Sequence, residues 1–154
     1  MKRVSGHSLS RVLDLLVARE PDAVARWSRH GLLRAFAMVC HAVAFGHERG
    51  VLHLDLKPAN IMLQKFGEVL VLDWGLARAT EESPHKSLLQ AGEEVLIGTP
   101  GYIAPEMIEG SLPGPPADVF GLGATLFELL TLQRAFEGKT KAARMLSTLD
   151  PPPD

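Results

Sequence analysis

The sequence is poor in cysteine, in net charge and in long apolar runs. Its single cysteine, Cys40, excludes an intrachain disulfide, so we expect a reducing, cytoplasmic location. Arg11, Asp14 and Arg19 interrupt the first apolar stretch, so it is no signal peptide. No charge-free run is long enough to cross a bilayer, and a net charge of −2 creates no strong field. We therefore expect no nucleic-acid partner and no membrane segment in this chain.

The length and composition are those of one folded domain. The chain has 154 residues, of which 46% are hydrophobic and 22% are charged. Apolar residues at three-to-four spacing predict one helix from Ser8 and a stronger one that follows Gly31 and runs from Leu32 to about Arg49, with Gly50 as its C-terminal glycine. Cys40 lies in this second apolar pattern, which favours a buried, unreactive thiol.

Further along the chain, the sequence predicts a hairpin and a buried helix. Residues 61–63 and 69–72 are two short apolar strands, and Gly67 lies in the loop between them. Residues 79–94 are polar and without period, which predicts a mobile loop with exposed hydroxyls at Thr80, Ser83 and Ser87. From Asp118 to about residue 132 almost no polar face is left, so we expect a helix buried on all sides. The fold class is therefore α+β, mostly α, with helices around a central helix.

Four polar or charged residues stand among apolar ones within residues 53–78. Asp55, Lys57 and Asn60 share one loop, and the hairpin can return Asp73 to the same place. Carboxylate and amide oxygens can hold Mg²⁺, a second carboxylate can accept a hydroxyl proton, and a lysine can neutralise a phosphoryl group. Phosphoryl transfer needs little beyond this positioning and electrostatic help. A structural cluster of turn residues is the alternative reading.

These residues belong to four motifs in the order and spacing of a known family. Residues 53–60 read His-Leu-Asp-Leu-Lys-Pro-Ala-Asn, residues 73–75 read Asp-Trp-Gly, residues 98–106 run from Gly-Thr-Pro-Gly-Tyr to Ala-Pro-Glu, and residues 118–123 read Asp-Val-Phe-Gly-Leu-Gly. The sequence resembles the C-terminal lobe of a bacterial-style, eukaryotic-type serine/threonine protein kinase, from residue 1 to about residue 149.

The resemblance implies catalytic and metal-binding roles for five residues. Asp55 is implied as the catalytic base, Lys57 as the contact to the γ-phosphate and Thr99 as a residue that aligns the catalytic loop. Asn60 and Asp73 are implied as ligands of Mg²⁺. The implied cofactors are ATP and Mg²⁺, and the implied partner is a protein substrate that offers a serine or threonine hydroxyl.

Three further positions take supporting roles by the same resemblance. Met62 is implied to lie beneath the adenine, and Val4, in a segment similar to the interlobe hinge, to offer it backbone contacts. Asp118 is implied to hold the backbone of the catalytic loop. We interpret His53, Trp74 and Tyr102 as packing residues.

The sequence also departs from the family pattern. Leu54 stands where most members have an arginine that pairs with a phosphate on the activation segment, and Trp74 replaces phenylalanine. No Gly-rich loop or Val-Ala-Ile-Lys segment precedes Val4, and the helix whose arginine pairs with Glu106 is missing after Leu149. We therefore expect residues 1–154 to be a partial kinase domain without its N-terminal lobe and final helices.

Three functions stay open at this point. The first is a piece of a serine/threonine kinase whose activity belongs to the full-length form. The second is a kinase-like module that binds a partner, or Mg-nucleotide weakly, without transferring phosphate. The third, a small-molecule phosphotransferase, is disfavoured by Lys57-Pro58 and by the Ala-Pro-Glu segment that ends at Glu106.

Overall fold

Helices make up most of the fold, as the sequence predicted. The computed structural model describes residues 6–65, 67–80 and 98–149, so Val4, Ser83 and Ser87 lie outside the described residues. The helices are α1 Leu9–Val17, α2 Pro21–Arg26, α3 Arg29–His47, α4 Pro105–Ile108, α5 Pro115–Thr131 and α6 Lys141–Leu146. Among the described residues, no helix is apolar over a stretch long enough to cross a membrane.

The strands are short and form two small antiparallel sheets. They are β1 His7–Ser8, β2 Val51–Leu52, β3 Ile61–Leu63, β4 Val69–Val71 and β5 Arg78–Ala79. The first sheet has the order β1-β3-β4, and the second pairs β2 with β5. The predicted hairpin is therefore present as β3 and β4, with Ile61 opposite Val71 and Gly67 in the connecting loop. Ala79, predicted as the first residue of the polar loop, belongs to β5, and residues 81–94 of that predicted loop lie outside the described residues.

Serine caps begin the first and third helices. The Ser8 hydroxyl accepts a hydrogen bond from the N–H of Arg11 at 3.2 Å, and Ser28 accepts one from Gly31 at 3.1 Å. The third helix thus begins at Arg29, three residues before the predicted Leu32, because the serine cap determines its first turn. It ends at His47 rather than near Arg49, and Gly50 turns the chain with φ of 66°.

The main core lies between α1, α3 and the hairpin. Its central side chains are almost completely buried and include Val12, Val39 and Ile61, with Leu56 of the loop before the hairpin and Leu129 of α5 packed against them. The loop before the hairpin is thus anchored to the core through Leu56, which restricts its movement.

Two burial predictions need correction. The α5 helix begins at Pro115, because two prolines fit its first turn, and Val119 is 60% exposed, so this helix is not buried on all sides. Its buried side includes Asp118, Gly121 and Thr125, while Val119, Gly123 and Leu130 are exposed. Thr80, predicted as exposed, is half-buried beside β5, where its N–H bonds to the carbonyl of Gly50 at 2.8 Å.

Cys40 is half-buried on α3 rather than fully buried. Desolvation raises the pKa of its thiol, and a backbone hydrogen bond offsets part of this rise. The thiolate is therefore disfavoured near neutral pH, which agrees with the prediction of an unreactive cysteine.

Candidate active site

Asp55 is the centre of a compact hydrogen-bond cluster. Its carboxylate is 5% exposed, and Lys57 Nζ lies 2.5 Å from Oδ2. The Thr99 hydroxyl donates to Oδ1 at 2.6 Å and accepts from Lys57 Nζ at 2.6 Å. The side chain of Asn60 donates to Oδ2 at 3.0 Å and to the Asp55 backbone carbonyl at 2.8 Å. A buried carboxylate with these donors is fully compensated and held in one orientation.

The loop that carries Asp55 is held from below by Asp118. Asp118 is 1% exposed, and its carboxylate accepts the N–H groups of His53 at 2.9 Å and Leu54 at 2.8 Å. This confirms the expectation that Asp118 holds the loop backbone. His47 Nε2, on the last turn of α3, adds a third contact at 2.8 Å.

The contact from His47 was not predicted from the sequence. Asp118 lies 71 residues further along the chain, and no local spacing relates the two side chains. The signal that could have found it is the position of His47 at the C-terminal end of an amphipathic helix, where a cationic or hydrogen-bonding side chain is favourable. The contact joins α3 and α5 directly beneath the catalytic loop.

His53 has a structural role, as predicted. Its ring is completely buried, Nε2 lies 3.0 Å from the Leu72 carbonyl oxygen, and Nδ1 accepts the Asp55 N–H at 3.2 Å. These partners select the tautomer with the proton on Nε2. Because both nitrogens are engaged, His53 connects the loop of Asp55 to the end of the hairpin.

The hairpin returns the chain to Asn60 at Leu72, the residue before Asp73. The N–H of Leu72 bonds to the Asn60 carbonyl at 2.8 Å, and Asp73 follows in a left-handed conformation with φ of 61°. Its carboxylate is exposed and makes no hydrogen bond with a described residue. A Cβ at Gly75 would lie 3.1 Å from Asp73 Oδ1, so glycine leaves room for this carboxylate. The strained backbone therefore carries an exposed carboxylate one residue after the N–H that bonds to Asn60.

Asn60 and Asp73 have the donor chemistry that Mg²⁺ requires. The amide nitrogen of Asn60 is committed to Asp55, which leaves the amide oxygen without a hydrogen bond among the described residues. Within the part of the chain that the structure describes, no three histidine, cysteine, aspartate or glutamate side chains form a metal cluster. Two oxygen ligands nevertheless suit Mg²⁺, which keeps several waters and also binds substrate phosphates.

The remaining predicted positions are placed as follows. Met62 is half-buried on β3, between the core residues Ile61 and Leu63, so its side chain points to the face opposite the core. Trp74 is 37% exposed, with its ring 4.7 Å from that of His53 and its Nε1 bonded to a backbone carbonyl, which confirms a packing role. Glu106 is half-buried and has no ion-pair partner among the described residues.

Leu54 occupies an apolar cluster instead of a phosphate-binding position. It is 6% exposed, has a left-handed φ of 64°, and packs with Leu52, Ala104 and Ala117. A Cβ at Gly98 would lie 3.1 Å from the Leu54 carbonyl oxygen, so the segment that carries Thr99 contacts this cluster closely. Packing of apolar side chains thus joins the catalytic loop to the end of the activation segment.

Tyr102 follows the turn that carries Thr99, and it donates a hydrogen bond to Glu128 of α5. Burial, then this bond and the charge of Glu128, raise the pKa of Tyr102 far above its usual value, although Arg134 and Arg144 partly oppose the shift. The folded protein therefore holds the phenol proton more tightly than the unfolded chain does.

This pKa shift makes stability depend on pH in the alkaline range. The stabilisation is complete below the unfolded pKa of about 10 and is lost as the pH rises above it. Tyr102 is the only tyrosine in the sequence, so tyrosinate absorbance reports this residue alone. We expect its titration to coincide with unfolding, and Tyr102→Phe to reduce the slope of stability against pH above about 10. An ordinary tyrosine titration in the folded protein would contradict this.

Comparison with known proteins agrees with this geometry. The model of the protein kinase domain matches residues 3–151. Serine/threonine-protein kinase PknD of Protochlamydia amoebophila is 43% identical over 121 residues, which are 71% of this chain and 12% of that protein. PknD of Chlamydia pneumoniae is 33% identical over 153 residues, 90% of this chain and 16% of the relative.

A third relative extends the comparison beyond PknD. A probable serine/threonine-protein kinase of Corynebacterium efficiens is 41% identical over 105 residues, 68% of this chain and 16% of that protein. The chain thus spans 12% to 16% of the length of these three relatives. Because the family model matches almost the whole sequence, the chain belongs to the protein kinase family.

Proposed function

We propose that this chain carries the phosphoryl-transfer site of a serine/threonine protein kinase, which moves the γ-phosphoryl group of ATP to protein hydroxyls. The observation that supports this most is the Asp55 carboxylate, buried and bonded to Lys57, Asn60 and Thr99. The names of the relatives and the Lys-Pro-Ala-Asn sequence of residues 57–60 favour serine and threonine over tyrosine as acceptors.

Asp55 orients the substrate hydroxyl and accepts its proton in this proposal. Its carboxylate is held by donors on both oxygens, so it stays aligned without reorganisation during the reaction. Lys57 neutralises charge on the transferred phosphoryl group. The Thr99 hydroxyl bonds to both Asp55 and Lys57 and fixes their relative positions. Transfer then depends mainly on position and electrostatics, as expected for a loose phosphoryl transition state.

ATP and Mg²⁺ are the cofactors in this proposal. Asn60 and Asp73 would hold the metal ion, which when bound neutralises charge on the phosphates. Met62 contributes an apolar surface beneath the adenine, and Val4, outside the described residues, contributes hinge backbone contacts. We also propose a protein substrate and a cytoplasmic location, the latter because the only cysteine suits a reducing compartment.

Phosphate transfer from labelled ATP tests this proposal. We expect the full-length form, but not residues 1–154 alone, to transfer phosphate to a serine-containing protein, with a requirement for Mg²⁺ and a loss of transfer in the Asp55→Asn variant. A kinase-like binding module is the alternative, and it predicts nucleotide or partner binding without any transfer. Transfer that survives the loss of the Asp55 carboxylate would overturn the assigned chemistry.

Activity is expected to be independent of a phosphate clamp on the activation segment. Leu54 is buried in an apolar cluster and offers no positive charge to a phosphate. Phosphatase-treated and untreated protein should therefore have the same transfer rate within about twofold, since apolar packing takes the place of the clamp. A rate that falls more than about tenfold on dephosphorylation, and returns on rephosphorylation of Thr80 or another hydroxyl, would contradict this.

A further inference from the structure

A positively charged surface cavity, open to solvent over most of its extent, lies between the segment after α5 and helix α6. It has a volume of about 550 Å³ and is lined by Arg134, Glu137, Gly138, Lys139 and Arg144. Three cationic side chains face one carboxylate, which leaves two net positive charges in a chain whose net charge is −2. A concave site with this local excess attracts anionic groups.

The Arg144 side chain makes one hydrogen bond at this cavity and has further N–H donors without a partner among the described residues. Its Nη2 donates to the Gly138 carbonyl at 3.2 Å, while its Nε is buried and has no hydrogen-bond partner. Guanidinium has five N–H donors and no acceptor, and a buried donor without an acceptor is uncommon in native proteins. An oxygen-bearing anion in the cavity could accept hydrogen bonds from the part of the Arg144 guanidinium that lines it, and its charge would lie close to the unsatisfied Nε donor.

The backbone holds Arg144 at this position. A Cβ at Gly138 would lie 2.4 Å from the backbone nitrogen of Arg144, so the close approach of α6 requires glycine here. The Thr140 hydroxyl caps the helix by accepting the N–H of Ala143 at 3.0 Å. The cavity wall is therefore built from close backbone packing and a cap rather than from mobile side chains alone.

The cavity adjoins the turn that links to the Asp55 cluster. A Cβ at Gly101 would lie 3.1 Å from Arg144 Cδ and 3.5 Å from the Phe136 carbonyl oxygen. Gly101 is two residues from Thr99, whose hydroxyl bonds to Asp55, and the N–H of Tyr102 closes the turn onto the Thr99 carbonyl at 2.9 Å. An extended peptide advances about 3.3 Å per residue, so a side chain two to four residues from an acceptor at Asp55 can reach this cavity.

We propose that this cavity binds an anionic side chain of the protein substrate, a few residues from the hydroxyl that receives the phosphate. The group is the carboxylate of an aspartate or glutamate, or the phosphate of a residue phosphorylated earlier. Arg134, Lys139 and Arg144 supply the positive charge. The proposal rests on the proposed kinase function for the nature of the ligand, but the binding it describes needs no phosphate transfer.

Peptide binding to the 154-residue chain tests this. Fluorescent peptides share one acceptor serine and carry glutamate, glutamine or phosphoserine two to four residues away on either side. Fluorescence anisotropy should show about tenfold tighter binding of the glutamate peptide than of the glutamine peptide, falling as salt rises. The phosphoserine peptide shows which anion is preferred, since tighter binding than glutamate identifies phosphate and weaker binding identifies carboxylate.

Matched variants locate the effect. The double variant Arg134→Gln, Lys139→Gln changes exposed side chains and should reduce the preference for the glutamate peptide to about twofold or less, whereas Glu137→Gln should increase it. Lys65→Gln, at an exposed lysine outside the cavity, should leave the preference unchanged. Circular dichroism verifies that each variant is folded.

Equal binding of the glutamate and glutamine peptides by the unmodified chain would overturn the proposal, as would a preference that survives in the double variant. A different result would overturn the kinase proposal. If no peptide is phosphorylated while the charge preference and its loss in the double variant remain, the cavity is still an anionic side-chain site on a lobe that does not transfer phosphate.

Discussion

Asp118→Ala is expected to lower the free energy of unfolding by about 3–5 kcal/mol, because it removes a buried acceptor shared by three donors. The N–H groups of His53 and Leu54 would lose their partner inside the protein, and His47 would lose its contact at 2.8 Å. Since small domains are stabilised by only about 5–15 kcal/mol in total, this is a large share. Urea denaturation followed by circular dichroism measures it.

His47→Ala is the matched control for this prediction. It removes one of the three contacts and leaves both loop N–H groups bonded to Asp118, so we expect a loss of only about 1 kcal/mol. Amide hydrogen exchange adds a local reading, because the His53 and Leu54 amides should lose protection in Asp118→Ala alone. Equal losses of stability in the two variants would show that Asp118 does not hold the loop in the way described.

Asp55→Asn is expected to reduce the rate of phosphate transfer by about 10²–10⁴-fold with little change in stability. The substitution conserves size, so the amide oxygen can still accept from Lys57 and Asn60, but the group can no longer take up the hydroxyl proton. The loss should therefore appear in kcat, while the KM for ATP changes by less than about threefold. Initial rates at varied ATP concentration separate the two constants.

Asp14→Asn is the control for Asp55→Asn, since it makes the same chemical change at an exposed position of α1. It should leave both kcat and stability unchanged. A loss of rate confined to KM, or a variant unfolded at the assay temperature, would mean that Asp55 positions nucleotide or stabilises the fold instead of handling the proton.

Much of the local structure could be predicted because short-range chemistry controls it. The hairpin of Ile61–Leu63 and Val69–Val71 follows from two apolar runs around Gly67, and the cap at Ser8 follows from a hydroxyl residue before apolar periodicity. The cap at Ser28 was not predicted. The predicted start of α5 was wrong by three residues because Pro115 and Pro116 were assigned to a loop, although proline is well suited to a first helical turn.

Long-range contacts could not be predicted in the same way. The exposure of Val119 depends on which elements pack beside α5, and an apolar pattern alone cannot show this. The His47 contact to Asp118 joins positions that no periodicity relates. The cavity around Arg144 likewise requires that residues after α5 meet the turn at Gly101, which is a property of the folded chain.

The sequence by itself determined the family, the hairpin and the chemical types in the active site, because motif order and local periodicity are written along the chain. The spacing of Asp55, Lys57, Asn60 and Asp73 along the chain was enough to predict a phosphoryl-transfer site. Only the tertiary structure decided that Asp55 is compensated on both oxygens and that Leu54 fills an apolar cluster rather than meeting a phosphate. Hydrogen bonds and packing between distant residues depend on three-dimensional proximity, which a one-dimensional pattern does not contain.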